Sequence, residues 1–125
     1  MKTKQKIIFF ILILSSLCAF SGFSQEVGAR VFANWDQDEY YYPATIIDLR
    51  DSEAYIVYDD FTREWVPLSS LEPDTIGEGA RIQVLWNGDE YYHDAVILQR
   101  LGFAIHVRYE DDTEEYTTIA HIRIQ

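Results

Sequence analysis

The chain has 125 residues, 48% of them hydrophobic and 15% aromatic, and its 21 acidic side chains against ten lysines and arginines give a formal net charge of −11. That balance disfavours nucleic acid as a partner, because proteins bind it mainly through Lys and Arg that neutralise phosphates and release counterions. A single cysteine also excludes a disulfide framework within the chain, so stability has to come from a hydrophobic core.

In chain order the first segment has the layout of a signal peptide. Lys2, Lys4 and Lys6 precede an apolar run over residues 7–14 that continues through Leu17, Cys18, Ala19 and Phe20, with Gly22 and Ser24 as the small residues a signal peptidase reads. The run is shorter than the ~20 residues of a spanning helix. Residues 1–24 are therefore read as a signal peptide cut after Ser24, which leaves Gln25 first and the protein secreted or periplasmic; a cut after Ala19 and an uncleaved anchor are the alternatives. Leu17 ahead of Cys18 argues against lipoprotein processing. Residues 25–125 keep seven arginines, no lysine and all 21 acids, a net charge of −14.

A shift of 51 residues then superposes two segments without a gap. Gly28-Ala29-Arg30, Trp35, Asp38-Glu39-Tyr40-Tyr41, Ala44, Ile46, Tyr58, Asp60, Thr62 and Glu64 recur as Gly79-Ala80-Arg81, Trp86, Asp89-Glu90-Tyr91-Tyr92, Ala95, Ile97, Tyr109, Asp111, Thr113 and Glu115. Self-similarity at a fixed offset is the mark of a duplicated unit. Each copy is rich in Val, Ile, Tyr, Trp and Thr in short runs separated by acidic or Gly-containing clusters, which predicts strands and turns. In unit one, strands are expected near 30–35, 41–49, 54–59 and 63–68. Alternation puts Val31, Ala33 and Trp35 on one side, likewise Ala44 and Ile46, and likewise Ala54, Ile56 and Tyr58. Residues 25–72 form the first unit, 73–78 a linker beginning around Glu72 and Pro73, and 79–125 the second unit with the same strands 51 residues on. So short a linker suggests barrels in contact, and outward Tyr55 and Val57, where unit two has His106 and Arg108, are the expected contact residues.

The stretches Val31-Phe32-Ala33-Asn34-Trp35, Tyr42-Pro43-Ala44-Thr45-Ile46, Val57-Tyr58-Asp59-Asp60-Phe61 and Glu64-Trp65-Val66-Pro67 resemble a Tudor domain of the Tudor/agenet superfamily. The resemblance covers both copies. It implies an all-β chain of two tandem small Tudor-like (SH3-like) β-barrels after the signal peptide, and a protein-binding module in which an aromatic cage holds methylated lysine or arginine. The geometry of the strands supports a cage independently. In an up-and-down order the loops after the first and third strands lie at one end of the barrel, so Trp35 and Tyr42 flank one loop while Tyr58 and Phe61 flank the other, with Asp60 beside them. Such a rim suits a desolvated organic cation. The matching positions in unit two are Trp86, His93, Tyr109 and Asp112, with Asp111 equivalent to Asp60, so that copy has lost two aromatics. Tyr40-Tyr41 and Tyr91-Tyr92 are read as packing residues, and rim-of-core packing is the plainer account of the Trp and Tyr positions as well.

Other chemistry finds less support. The clusters Asp36-Gln37-Asp38-Glu39 and Glu110-Asp111-Asp112 lack an ordered calcium loop and read as a solvated rim. His93, His106 and His121 have no metal-ligand spacing, so no metal or cofactor is expected. No nucleophile motif or phosphate-cradling loop is present, and the carboxylates fall in loops, so the chain is read as no enzyme. The expected partner is a cationic peptide or protein, with no nucleic acid and with membrane involvement only through export. A cell-envelope adaptor binding peptide or wall glycan is the alternative.

Overall fold

The computed structural model describes residues 25–86 and 90–125, apart from the side chain of Gln37. The signal-peptide reading lies outside the described residues. Unit one contains β1 (Arg30–Asn34), β2 (Tyr41–Arg50), β3 (Glu53–Tyr58), β4 (Arg63–Pro67) and β5 (Leu71–Pro73). Unit two repeats them as β6 (Arg81–Leu85), β7 (Tyr92–Leu101), β8 (Ala104–Tyr109), β9 (Glu114–Thr118) and β10 (Ile122–Arg123). Each set makes a five-stranded antiparallel sheet, ordered β4-β3-β2-β1-β5 and β9-β8-β7-β6-β10. Single 3-10 turns at Trp35–Gln37, Leu68–Ser70 and Ile119–His121 link strands. Trp35, expected on the first strand, opens the first of these turns. Pro73, expected in the linker, is the last residue of β5, where it pairs with Val31.

The long second strand of each unit carries a bulge at the same place, Ile47 in β2 and Leu98 in β7, where the register slips. A bulge bends its strand and sharpens the twist, which lets one strand serve both walls of a small barrel. It also changes the phase: Ala44 and Ile46 point inward, and beyond the bulge Leu49 joins the same core.

Val31, Ala33, Ala44, Ile46, Ala54, Ile56, Tyr58, Val66 and Leu71 form the core of unit one. The second core contains Ile82, Val84, Ala95, Ile97, Ile105, Val107, Ile119 and Ile122, and with them Phe32 of unit one, fully buried. All three central residues of β1 are thus buried, Val31 and Ala33 on their own side and Phe32 on the other, in the neighbouring unit. Tyr41, Ile76, Ala80 and Ile124 pack around the same cluster. Tyr41 and Ile124 exchange backbone hydrogen bonds of 2.7 and 3.0 Å, so the two sheets meet through a β-bridge. Asp74 in the connection is held by the Arg100 guanidinium at 2.7 Å.

This contact differs from the expected one. Tyr55 packs on Trp65 of its own unit, ring centroids 5.1 Å apart, and the Arg50 guanidinium lies 3.9 Å above that Trp65 ring. Val57 pairs with Thr45 and Arg63 in the same sheet. Burial of one large apolar ring decides where two small barrels join, and Phe32 is that ring.

Candidate functional site

The turns after β1 and β3 lie at one end of unit one, and there the side chains of Trp35, Tyr42, Pro43, Tyr58, Asp60 and Tyr92 line a cavity of about 380 Å³. Trp35 is placed by its 3-10 turn, with half its surface exposed. The turn is fastened by Asn34, whose amide donates to the carbonyls of Asp38 and Tyr40. Tyr42 stands at the start of β2, opposite Ala33. Its hydroxyl donates to Asp38 Oδ2 at 3.1 Å and accepts from Arg123 Nη1 at 3.2 Å, so two partners fix the ring's direction.

Tyr58 ends β3 with only 4% of its surface exposed, and its hydroxyl donates to Glu64 Oε2 at 2.7 Å. Burial, and then the neighbouring Glu64 carboxylate, push this hydroxyl far above the ordinary tyrosine range, so it stays a neutral donor. Asp60 is held in the β3–β4 turn by Thr62, whose hydroxyl and backbone N–H donate to Asp60 Oδ1 at 2.6 and 3.0 Å. This local side-chain-to-backbone bond is what Asp does well in tight turns. It fixes a carboxylate at the mouth of the cavity.

The structure therefore brings Trp35, Tyr42, Tyr58 and Asp60 together and leaves Phe61 out. Phe61 adopts a left-handed backbone with φ of 76° and is 82% exposed, which turns its ring away from the cavity it was expected to line. The missing wall comes from unit two. Tyr92, read from the sequence as a packing residue, meets Tyr42 edge to face with centroids 6.5 Å apart, and Ala120 and Ile122 complete that side. Burial raises the hydroxyls of both Tyr42 and Tyr92. Arg123 lies behind this wall, stacked between Tyr40 at 3.6 Å and Tyr92 at 4.0 Å while it donates to Gln83 and Tyr42. The sequence held no pattern that would have joined Tyr92 to unit one, because its neighbours there are more than thirty positions away.

Unit two has its own version at the corresponding end. Trp86, His93, Tyr109, Asp111 and Thr113 line a smaller cavity of about 220 Å³ together with Asp94 and Glu110. Its rings lean on one another: Trp86 lies 5.8 Å from His93 and 6.2 Å from Tyr109, and His93 lies 6.4 Å from Tyr109. Tyr109 donates to Glu115 as Tyr58 does to Glu64, and Thr113 clamps Asp111 at 2.6 Å. That clamp holds the Asp111 carboxyl below its ordinary range. Asp112, the counterpart of Phe61, is absent from this cavity and faces a separate polar groove beside Arg81 and Arg108.

Comparison with known proteins agrees with this architecture. Residues 27–71 match the family described as the DNA repair protein Crb2 Tudor domain. Among curated protein sequences none matches. The solved structure of the Crb2 tandem Tudor domains aligns with 82% of this chain and 81% of its own at a TM-score of 0.55 and 18% identity. The AGDP1 AGD34 structure of Arabidopsis thaliana aligns with 80% and 82% at a TM-score of 0.43 and 11% identity. The ADCP1 tandem Agenet domain 3-4 aligns with 80% and 79% at 0.37 and 11%. Residues 27–71 thus carry the sequence pattern of the Tudor family, and the two units together have the tandem Tudor fold.

Proposed function

We propose that the protein is an exported, non-enzymatic binding module that takes a cationic side chain of a peptide or protein, a methylated lysine or arginine in the first instance, at the loop end of unit one. The observation that carries this reading is the convergence of Trp35, Tyr42, Tyr58 and Tyr92 on one cavity with the Asp60 carboxylate at its mouth. Ring faces attract a weakly hydrated ammonium or guanidinium, and the attraction grows when water is excluded. A charge of −14 on residues 25–125 draws cations from a distance. The part played by export rests on the lysine-led apolar segment at residues 1–24.

Calorimetry against methylated lysine and arginine peptides, proline-rich peptides and wall glycans tests the reading. The expected result is saturable binding of a methylated peptide that weakens with salt. Trp35→Ala is expected to cost ~1–2 kcal/mol of affinity with a native circular dichroism spectrum, as loss of a desolvated cation–π contact would. Full affinity in the folded variant, or binding of glycan alone, would sink it. Mass spectrometry of the exported protein should find a chain starting at Gln25; an intact Met1 chain in the membrane fraction would contradict export.

A further inference from the structure

Where unit one touches unit two it uses one face of its sheet. Phe32, in the middle of β1, is buried in the second core, and beside it the Arg30 guanidinium donates to both Asp59 oxygens at 2.7 Å and lies 5.3 Å from the Phe103 ring of unit two. The equivalent face of unit two, 51 residues on, is open among the described residues and forms a groove of about 560 Å³. Gln83 stands there in place of Phe32, Asp94 in place of Pro43 and Arg108 in place of Val57. The ion pair of unit one is also gone. Arg81 and Glu110 occupy the positions of Arg30 and Asp59, yet neither they nor Arg108 make a side-chain hydrogen bond or ion pair among the described residues. The groove runs on into the joint between the units, since Arg123 and Ile124 line it and also meet Tyr40 and Tyr41 of unit one.

Its charges are sorted by row. Residues two apart on a strand share a face and lie about 7 Å apart. Across β6, β7 and β8 the register sets Arg81 opposite Val96 and Val96 opposite Arg108; one row along, Gln83 lies opposite Asp94, and Glu110 follows just past the end of β8. Gln83 donates to Asp94 at 2.9 Å and accepts from Arg123 at 2.7 Å, which fixes the acidic row, while Arg81, Asp94, Arg108 and Glu110 are all exposed. The groove's arginines, Arg81, Arg108 and Arg123, match its acids, Asp94, Glu110 and Asp112, in number. The rest of residues 25–125 therefore carries the whole net charge of −14, and like charge opposes the approach of two copies by any other face. A basic row beside an acidic row is complementary to itself. A twofold axis lying between two copies, parallel to the rows and midway between them, puts the basic row of each on the acidic row of the other, as a symmetric pairing of identical patches requires. We propose that this groove is a self-recognition surface through which two copies of the chain form a weak, salt-sensitive dimer, Arg81 and Arg108 of each copy facing Asp94 and Glu110 of the other. No residue lines both this groove and the cavity of unit one, so pairing leaves that cavity open in each copy.

Sedimentation equilibrium of the purified protein at concentrations up to about 1 mM, enough to populate even a millimolar complex, tests the proposal. The mass should rise from that of a monomer towards twice that value in low salt, and association should weaken about fivefold or more in 0.5 M sodium chloride, where screening reaches within a few ångströms. The double variant Arg81→Glu, Arg108→Glu and the double variant Asp94→Arg, Glu110→Arg should each be monomeric alone, because each turns the groove to a single sign. Mixed in equal amounts they should form a heterodimer. All four positions are exposed, so native circular dichroism is expected; if a reversed variant does not fold, Arg81→Gln, Arg108→Gln replaces it and should weaken association about tenfold. A wild-type protein that stays monomeric at 1 mM in low salt overturns the proposal. Dimers that persist unchanged in the variants, or reversed variants that stay monomeric when mixed, overturn it as well.

Discussion

Phe61 has a backbone that its side chain resists. At φ of 76° it lies in the left-handed region, where a Cβ crowds the following carbonyl and costs about 1–2 kcal/mol. Unit two puts Asp112 at the same place with φ of 69°, a residue type better suited to that conformation. The exposed Phe61 ring lies outside the cavity wall, so little packing offsets the strain. Phe61→Gly should therefore raise stability by about 0.5–1 kcal/mol, read as a higher urea midpoint, with cation binding unchanged. A lower midpoint would show that the ring has a packing role; weakened binding would return Phe61 to the site. Sequence spacing placed this aromatic at the correct turn, yet spacing carries no φ, and the sign of φ aims the side chain. Trp35, Tyr42, Tyr58 and Asp60 were legible because strand alternation and two flanking turns fix their end of the barrel.

Strands were legible to within a residue or so wherever alternation ran for five positions, and the second copy supplied an independent check through Ile105, Val107 and Tyr109. Less legible were the bulge at Ile47, which breaks the period, and β5 and β10, three and two residues long, which are too short to show one. Across the β3–β4 pair, and its repeat β8–β9, a tyrosine, buried in unit one and partly buried in unit two, reaches the facing strand's glutamate: Tyr58 to Glu64, Tyr109 to Glu115. Burial first and the glutamate second raise both hydroxyls well above the ordinary value. The folded state thus holds these protons more tightly than the unfolded chain. Their contribution is fully present below the unfolded value of about 10 and is lost as pH rises beyond it toward the folded value. Urea midpoints should stay level from pH 7 to 9 and fall steeply above about pH 10, and the fall should be shallower in the Tyr58→Phe, Tyr109→Phe double variant. Equal slopes in the two proteins would assign the alkaline loss to other groups.

At the scale of the molecule, one residue of unit one is a core residue of unit two. Phe32 and Gln83 occupy the same position in the repeat, and that contrast, apolar in one copy and amide in the other, was the sequence's clue to which copy docks and which presents a polar face. Alternation alone pointed to Tyr55 and Val57, because an outward apolar residue on a middle strand looks available until its cross-strand partner, here Trp65, is known. A barrel of this size is marginal on its own. Sharing Phe32 gives each unit a reason to fold in the presence of the other, and the bridge between Tyr41 and Ile124 and the stack of Tyr40, Arg123 and Tyr92 lie beside it. Residues 25–125 should accordingly melt in one transition, and Phe32→Ala should lower stability by about 3–5 kcal/mol, the usual cost of removing a buried phenylalanine. The damage should fall mainly on unit two, seen as faster amide exchange in β6 to β8, although the substitution lies in unit one. It should also weaken cation binding at Trp35, because Tyr92 is held in the cavity wall only while the two units stay docked. A Phe32→Ala protein with an unchanged midpoint, or with the loss confined to unit one, would mean that the two barrels stand independently and that the site of unit one closes without its neighbour.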